Sequence, residues 1–379
     1  SASTLLNSLY AKLYTIDISD SLKASLSDFM TKANSGDYVV CTLNGYVNDE
    51  QYEDFAGLNA LVGNRCIDAV IGGPPCQAYS IAGRVRDKHG MHNDYRNYLF
   101  ESYIEIVKNI KPKVCIFENV PGMLNAAPGG VPIIKRITSA FKDAGYSLTV
   151  DLAKDALFNT ADFGVPQNRR RVIIAAFCDD YFSDSESLVD KFYSVLNEQK
   201  SGQVKTVYEA LADLPKIYPL ENPEKRVSHY VEHDLLTSSP SDHMPRFHNQ
   251  RDIEIFRLLA EDIESENYKY DSVKALQDLY TKKTGRVSSV HKYYVLRKDR
   301  PSNTIPAHLY KDGLRHIHYD SKQARSITVR EAARLQSFPD DFEFLGSNGA
   351  QCKMIGNAVP PLFAKKIAIA LSETIKDKR

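Results

Sequence analysis

The chain has no surplus of either charge: across 379 residues, 48 Lys and Arg are balanced by 48 Asp and Glu. No net field announces a polyanionic partner, so any nucleic-acid surface must be local. It has no Cys-x-x-Cys pair. The six cysteines (Cys41, Cys66, Cys76, Cys115, Cys178 and Cys352) lie far apart and show no ligand spacing with histidines. That excludes a disulfide framework and a zinc site, so no metal is expected and the thiols fit a reduced, cytosolic or nuclear setting. No apolar run reaches the ~18 residues of a membrane span, and no charged-then-apolar leader opens the chain. Internal repeats and low-complexity segments are also missing. What remains is an ordinary globular composition, 43% hydrophobic, long enough for two domains of roughly 100–200 residues.

From Lys12 to Phe177, short apolar runs alternate with amphipathic stretches. Lys12 to Asp17, Tyr38 to Leu43, Ile67 to Gly72, Val114 to Glu118, Leu148 to Leu152 and Arg171 to Phe177 read as strands. Ser21 to Ala33, Asn97 to Ile110 and Pro132 to Ala144 read as helices. Such alternation predicts an α/β fold, a parallel sheet with helices on both faces. Ligands of such sheets sit beyond the carboxyl ends of the strands, so Asp17, the turn after Gly73, and Glu118-Asn119 should converge on one rim. After Asp179 the sequence turns charged, Tyr-rich and weakly periodic to about Lys298, which predicts a smaller, irregular second domain. Thr328-Val329-Arg330-Glu331 is a capping box that opens a helix through Gln336. Pro361 to Ile375 carries a last helix with Leu362, Phe363, Ile367, Ile369 and Leu371 as its apolar face, packing back on the first domain.

Cys76 follows a strand, two glycines and the rigid Pro74-Pro75 step, which holds a thiol where a ligand would bind. A lone cysteine is more often a small core residue, and Cys66, Cys115 and Cys178 are assigned that role. Glu118, at the end of the next strand, is either a solvated strand end or an acid at the same rim; a nucleophile beside an acid suits addition to an unsaturated ring. Arg169-Arg170-Arg171 is either a solvated basic turn or a phosphate clamp. If the strand begins at Arg171, its buried guanidinium needs a partner, and Glu118 is available.

Five segments occur in an order that resembles the DNA cytosine-5 methyltransferase family: Gly-Gly-Pro-Pro-Cys-Gln at 72–77, Glu-Asn-Val at 118–120, Gln-x-Arg-x-Arg at 167–171, Arg-Glu-x-x-Arg-Leu-Gln at 330–336 and Gly-Asn-Ala-Val at 356–359. The resemblance implies a Rossmann-like class I methyltransferase sheet plus a target-recognition domain, with residues 1–179 and 326–379 catalytic and 180–325 reading the target. It implies that Cys76 adds to carbon 6 of a flipped cytosine in duplex DNA, so that carbon 5 takes a methyl group from S-adenosylmethionine and leaves S-adenosylhomocysteine. Glu118 would bind ring nitrogen 3 and the exocyclic amine, Arg171 the ring oxygen, and Arg169 would complete the catalytic set. Asp17, Asn44, Pro75, Leu99, Asn357 and Val359 would line the cofactor pocket. Gln77, Ser80, Arg84 and Arg86, from a loop over 78–95 that resembles the family's mobile catalytic loop, would meet DNA together with Arg300 and Thr304.

Family members open with a strand and a Phe-x-Gly-x-Gly turn that cradles the methionine end of the cofactor, whereas this sequence begins Ser1-Ala2-Ser3-Thr4-Leu5-Leu6, which reads as the following helix. Four explanations stand: an omitted leading segment, a truncated chain, a separate polypeptide supplying the strand, or a non-enzyme that keeps a DNA-binding scaffold. The leading expectation is a monomeric enzyme of a bacterial or phage restriction-modification or orphan system, cytoplasmic and without a membrane partner. A transfer-RNA cytosine-5 methyltransferase and a catalytically silent DNA-binding subunit are the alternatives; the Cys-Phe-Thr signature of the former is absent.

Overall fold

The computed structural model describes residues 66–74, 99–220, 241–288, 293–311 and 313–376. The chain divides into two compact units, one of Ser1–Phe158, Arg170–Val195 and Leu371–Arg379, the other of Asn159–Arg169 and Leu196–Ala370.

In the first unit the elements run β1 (Ala69–Gly72), α1 (Leu99–Ile110), β2 (Val114–Asn119), α2 (Ile133–Asp143), β3 (Tyr146–Leu148), a single-turn α3 (Leu152–Asp155), β4 (Leu157–Asn159), β5 (Arg170–Cys178) and α4 (Ser185–Glu198). The sheet order is β1-β2-β5-β3, with β4 also paired to β5. Val114 to Phe117 and Val172 to Cys178 are all buried, as continuous apolar strands are when both faces are covered. α1 buries Phe100, Tyr103, Ile104 and Val107, and α2 buries Ile133, Ile137 and Phe141. These are the one-face spacings of amphipathic helices. Edge-to-face contacts join Tyr103, Phe117, Phe141 and Tyr146, with centroids 5.3–6.4 Å apart.

The α/β class is as expected, with three corrections in detail. The sheet is mixed, since β5 runs antiparallel to both β2 and β3 while β1 and β2 are parallel; an unbroken apolar run carries no signal of direction. The strand expected over Leu148 to Leu152 stops at Leu148, because Asp151 accepts from Lys154 N at 3.1 Å and caps α3. Cys66 is exposed rather than core, lying in irregular chain before β1, whereas Cys115 and Cys178 are buried.

The second unit contains α5 (Val207–Leu211), α6 (Gln250–Glu264), α7 (Val273–Thr284), α8 (Val329–Leu335), α9 (Asn348–Asn357) and most of α10 (Pro361–Ile375). The stretch read as irregular therefore carries well-formed helices. Thr206, Asn249 and Ser272 cap α5, α6 and α7, and α6 buries Ile253, Ile255, Phe256, Leu259 and Ala260. One core gathers Phe256, Leu259, Leu279, Tyr293 and Ile317; another gathers Leu211, Leu296, Ile305, Ala332, Leu335 and Ile355. The stretch Asn348–Ile375 is long and apolar enough to cross a membrane by length and composition. It nonetheless breaks between α9 and α10 and buries Ile355, Phe363, Ile367 and Ala370, as core helices of globular proteins do.

Candidate active site

β1 and β2 are parallel and in register, with Gly72 opposite Phe117, so their next residues, Gly73 and Glu118, emerge together. They touch: a Cβ on Gly73 would stand 2.9 Å from Glu118 Oε2. Asn119 fastens the same junction, its Nδ2 donating to the Pro74 carbonyl at 3.3 Å and its Oδ1 accepting from Val120 N at 2.8 Å. On the other side of β2, Glu118 lies opposite Ile173. Arg171, two residues away on β5, is the diagonal neighbour on that face. Its Nε stands 2.7 Å from Glu118 Oε1, with the side chains 12% and 19% exposed, and its Nη1 donates to the Arg170 carbonyl at 2.7 Å. The pairing expected from the sequence is therefore present. It yields a carboxylate with one oxygen turned to a cation and the other against a bare backbone, able to accept from an amine on a ring edge, beside donors for a ring oxygen.

Leu99, half-buried, is the first residue of α1 in this unit. Cys76, Pro75, Gln77, Ser80, Arg84, Arg86, Asp17 and Asn44 lie outside the described residues, as does the loop over 78–95.

The other expected residues fall in the second unit. Arg169 is 2% exposed, and its guanidinium donates to the carbonyls of Ile305 at 3.2 Å and Gly356 at 2.8 Å. Beside it, Gln167 Nε2 donates to the Leu335 carbonyl and to Gln336 Oε1, while its Oε1 accepts from Ile305 N. Gln336 in turn donates to the carbonyls of Ile355 and Ala358. Gly356 is indispensable there, since a Cβ would meet Ala307 N at 2.3 Å and Pro306 C at 2.4 Å. Asn357, the last residue of α9, is exposed, and Val359 is half-buried. Thr304 is exposed and donates to the Asn168 carbonyl at 2.7 Å. Arg300 is exposed and pairs with Asp299 at 3.1 Å.

The motif at 330–336 is structural at Arg330 and Glu331. Arg330, buried, donates to Ser241, Pro339 and Phe342. Glu331 receives both terminal nitrogens of Arg325 at 2.7 and 2.8 Å and caps its own helix through Thr328 N. Burial alone would push the Glu331 carboxyl up, but the Arg325 guanidinium outweighs it and holds the group well below the usual carboxylate range. Burial pushes His318, 3.5 Å from Glu331, down to about 4, and does the same to His316. Among the described residues no cluster of His, Cys, Asp or Glu could hold a metal ion. Sequence reasoning passed over Gly73 as a seat for Glu118, because a strand pattern does not show how closely two strand ends approach.

Comparison with known proteins identifies the family. Residues 47–373 match the family model described as C-5 cytosine-specific DNA methylase. The chain is 36% identical over 328 residues, 82% of its own length and 71% of the relative's, to the type II methyltransferase M.Bpa9945I of Bacillus paralicheniformis. It is 31% identical over 310 residues, covering 82% and 69%, to the type II methyltransferase M1.HphI of Haemophilus parahaemolyticus. Among solved structures, a chain described as a DNA modification methyltransferase encoded within a prophage (E. coli) shares the fold, with a TM-score of 0.53, 20% identity, and coverage of 87% and 85%. The chain belongs to the C-5 cytosine-specific DNA methylase family, and its activity is methylation of cytosine in DNA at carbon 5.

Proposed function

We propose that the Glu118–Arg171 pair and the Gly72-Gly73-Pro74 turn form the floor of a pocket for one cytosine extruded from a specific sequence in duplex DNA. The observation that carries this reading is the meeting of Gly73, Glu118 and Arg171 at the ends of three adjacent strands. Cys76 is two residues beyond Pro74 in the sequence, and two residues reach at most about 7 Å. The Cys76 thiolate adds to carbon 6 of the ring, and the ring electrons pass to carbon 5. Glu118 accepts from the exocyclic amine and, in its protonated form, donates to nitrogen 3 as the thiolate attacks; Arg171 holds the ring oxygen. Extrusion costs a few kcal/mol of stacking and pairing, which Gln77, Ser80, Arg84, Arg86, Arg300 and Thr304 offset through contacts to the DNA, mostly to phosphates.

S-adenosylmethionine, when bound, supplies the methyl group. Leu99, Asn357 and Val359, with Asp17, Asn44 and Pro75, are the residues that would hold it. The apolar Leu99 and Val359 side chains and the exposed Asn357 amide at a helix end are chemically suited to an adenosyl group. Arg169, tied to two carbonyls, acts as a positioning residue that fixes the segment leading into β5. Residues 1–179 and 326–379 carry the chemistry and 180–325 read the target, in a monomer that works as one half of a restriction-modification pair.

Labelled S-adenosylmethionine, offered with duplex DNA or with transfer RNA, tests the reading. Label should enter cytosine of duplex DNA only, and Cys76→Ser should abolish it. Label in transfer RNA, or an active Cys76→Ser variant, would refute it.

A further inference from the structure

We infer that Tyr103 is a positioning residue for methyl transfer, because its hydroxyl locks β1 to β2 two residues behind the positions that form the pocket floor. The inference rests on the roles given above to Glu118 and the Gly72-Gly73-Pro74 turn.

Tyr103 lies in α1 and is 6% exposed. Its hydroxyl stands 3.0 Å from the Val70 carbonyl on β1 and 3.3 Å from the Ile116 carbonyl on β2. A phenol has one proton to donate, so the two carbonyls share it in a three-centre bond. Val70 is two residues before Gly72, and Ile116 two before Glu118. A single hydroxyl therefore ties the strand that delivers the turn to the strand that delivers the carboxylate.

The ring reinforces the tie. A Cβ on Gly72 would lie 2.6 and 2.8 Å from Tyr103 Cε2 and Cδ2, so the bare glycine is what lets the ring seat beneath the turn. Phe117, the residue before Glu118, meets the same ring edge-on at 5.3 Å, and Phe141 does so at 6.2 Å. Backbone, ring and carboxylate thus form one stack: Tyr103 supports Gly72, and Gly73 supports Glu118. A shift of β1 against β2 would move the turn relative to the carboxylate, and errors of about 1 Å in such geometry can cost up to ~100-fold in rate.

Single-turnover methylation of duplex DNA by wild type, Tyr103→Phe, Glu118→Gln and the double variant tests this. Tyr103→Phe should slow the transfer step about tenfold at saturating DNA and cofactor. DNA affinity should stay within about twofold and the far-UV circular dichroism unchanged. In the Glu118→Gln background the same substitution should change the rate by less than about twofold, because a carboxylate already removed cannot be misplaced further. A Tyr103→Phe enzyme as fast as wild type, or an equal loss in both backgrounds, would overturn the inference; the latter is what a role in stability alone produces. Gly72→Ala, whose Cβ would press on the ring at Cε2 and Cδ2, should slow the same step and serves as the second variant if Tyr103→Phe folds poorly. If Glu118→Gln itself matches wild type, the reading of the pocket fails, an outcome distinct from an unaffected Tyr103→Phe.

Discussion

Arg171 Nε stands 2.7 Å from Glu118 Oε1 across two antiparallel strands, and both side chains are largely withdrawn from solvent. Each is therefore a poor candidate for substitution alone: removing one leaves the other charged and partly desolvated. Glu118→Gln and Arg171→Ala should each lower the single-turnover rate by about 10²–10⁴. The double variant should be little worse than the poorer single, as expected of groups that act as a unit. Additive losses would show that the two serve separate steps.

Gly73→Ala should harm activity far more than stability. The atom in the way is the far end of the Glu118 side chain, 2.9 Å from the new Cβ, which can swing aside and so leave the fold intact while moving the carboxylate. A rate loss of at least about tenfold with a nearly unchanged melting temperature is expected, from paired kinetic and thermal-unfolding measurements.

Gly356→Ala should do the reverse. Its Cβ would meet backbone atoms of Pro306 and Ala307, which cannot rotate away, and the Gly356 carbonyl that anchors Arg169 would shift with it. Overpacking of this kind costs about 1–3 kcal/mol or more, measurable as a lowered urea midpoint in the absence of DNA.

Stability should fall on acidification, for two reasons of the same sign. The Glu331 carboxyl is depressed in the folded protein, so its contribution is complete above the unfolded value of roughly 4.3 and is lost as pH falls through the folded value. Burial depresses His243, His316 and His318, the last two to about 4. Below about 6.5 the unfolded chain therefore takes up protons that the folded chain refuses. The melting temperature should decline steadily from pH 7 to pH 4.5, and His318→Gln should flatten the decline. Glu331→Gln, which strands the buried Arg325, should cost about 3–5 kcal/mol at neutral pH.

The elements with the plainest patterns were the legible ones. β2 and β5 were readable to within a residue because their apolar runs are unbroken, and α8 because Thr328 and Glu331 spell a capping box that the structure contains. The direction of β5 was hidden, since pairing direction leaves no trace in such a run. α9 escaped notice because Gly349 and Gly356 weaken its helical signal, and α6 because its buried face includes the charged Asp262. In the site, the Glu118–Arg171 pair was readable because a guanidinium entering a strand demands an anion. The Gly73 contact and the Tyr103 brace were not, since both depend on how closely two strand ends approach.

The central claim is that Cys76 and Glu118 act on one cytosine ring, and trapping that ring tests it most directly. Duplex DNA carrying 5-fluorocytosine at the target position cannot lose the fluorine after methyl transfer, so the covalent complex should persist on a denaturing gel and in intact mass spectra, where it should map to Cys76. Glu118→Gln should form it much more slowly and Cys76→Ser not at all. A wild-type enzyme that methylates ordinary duplex DNA yet leaves no adduct, or an adduct mapped to another residue, would contradict it.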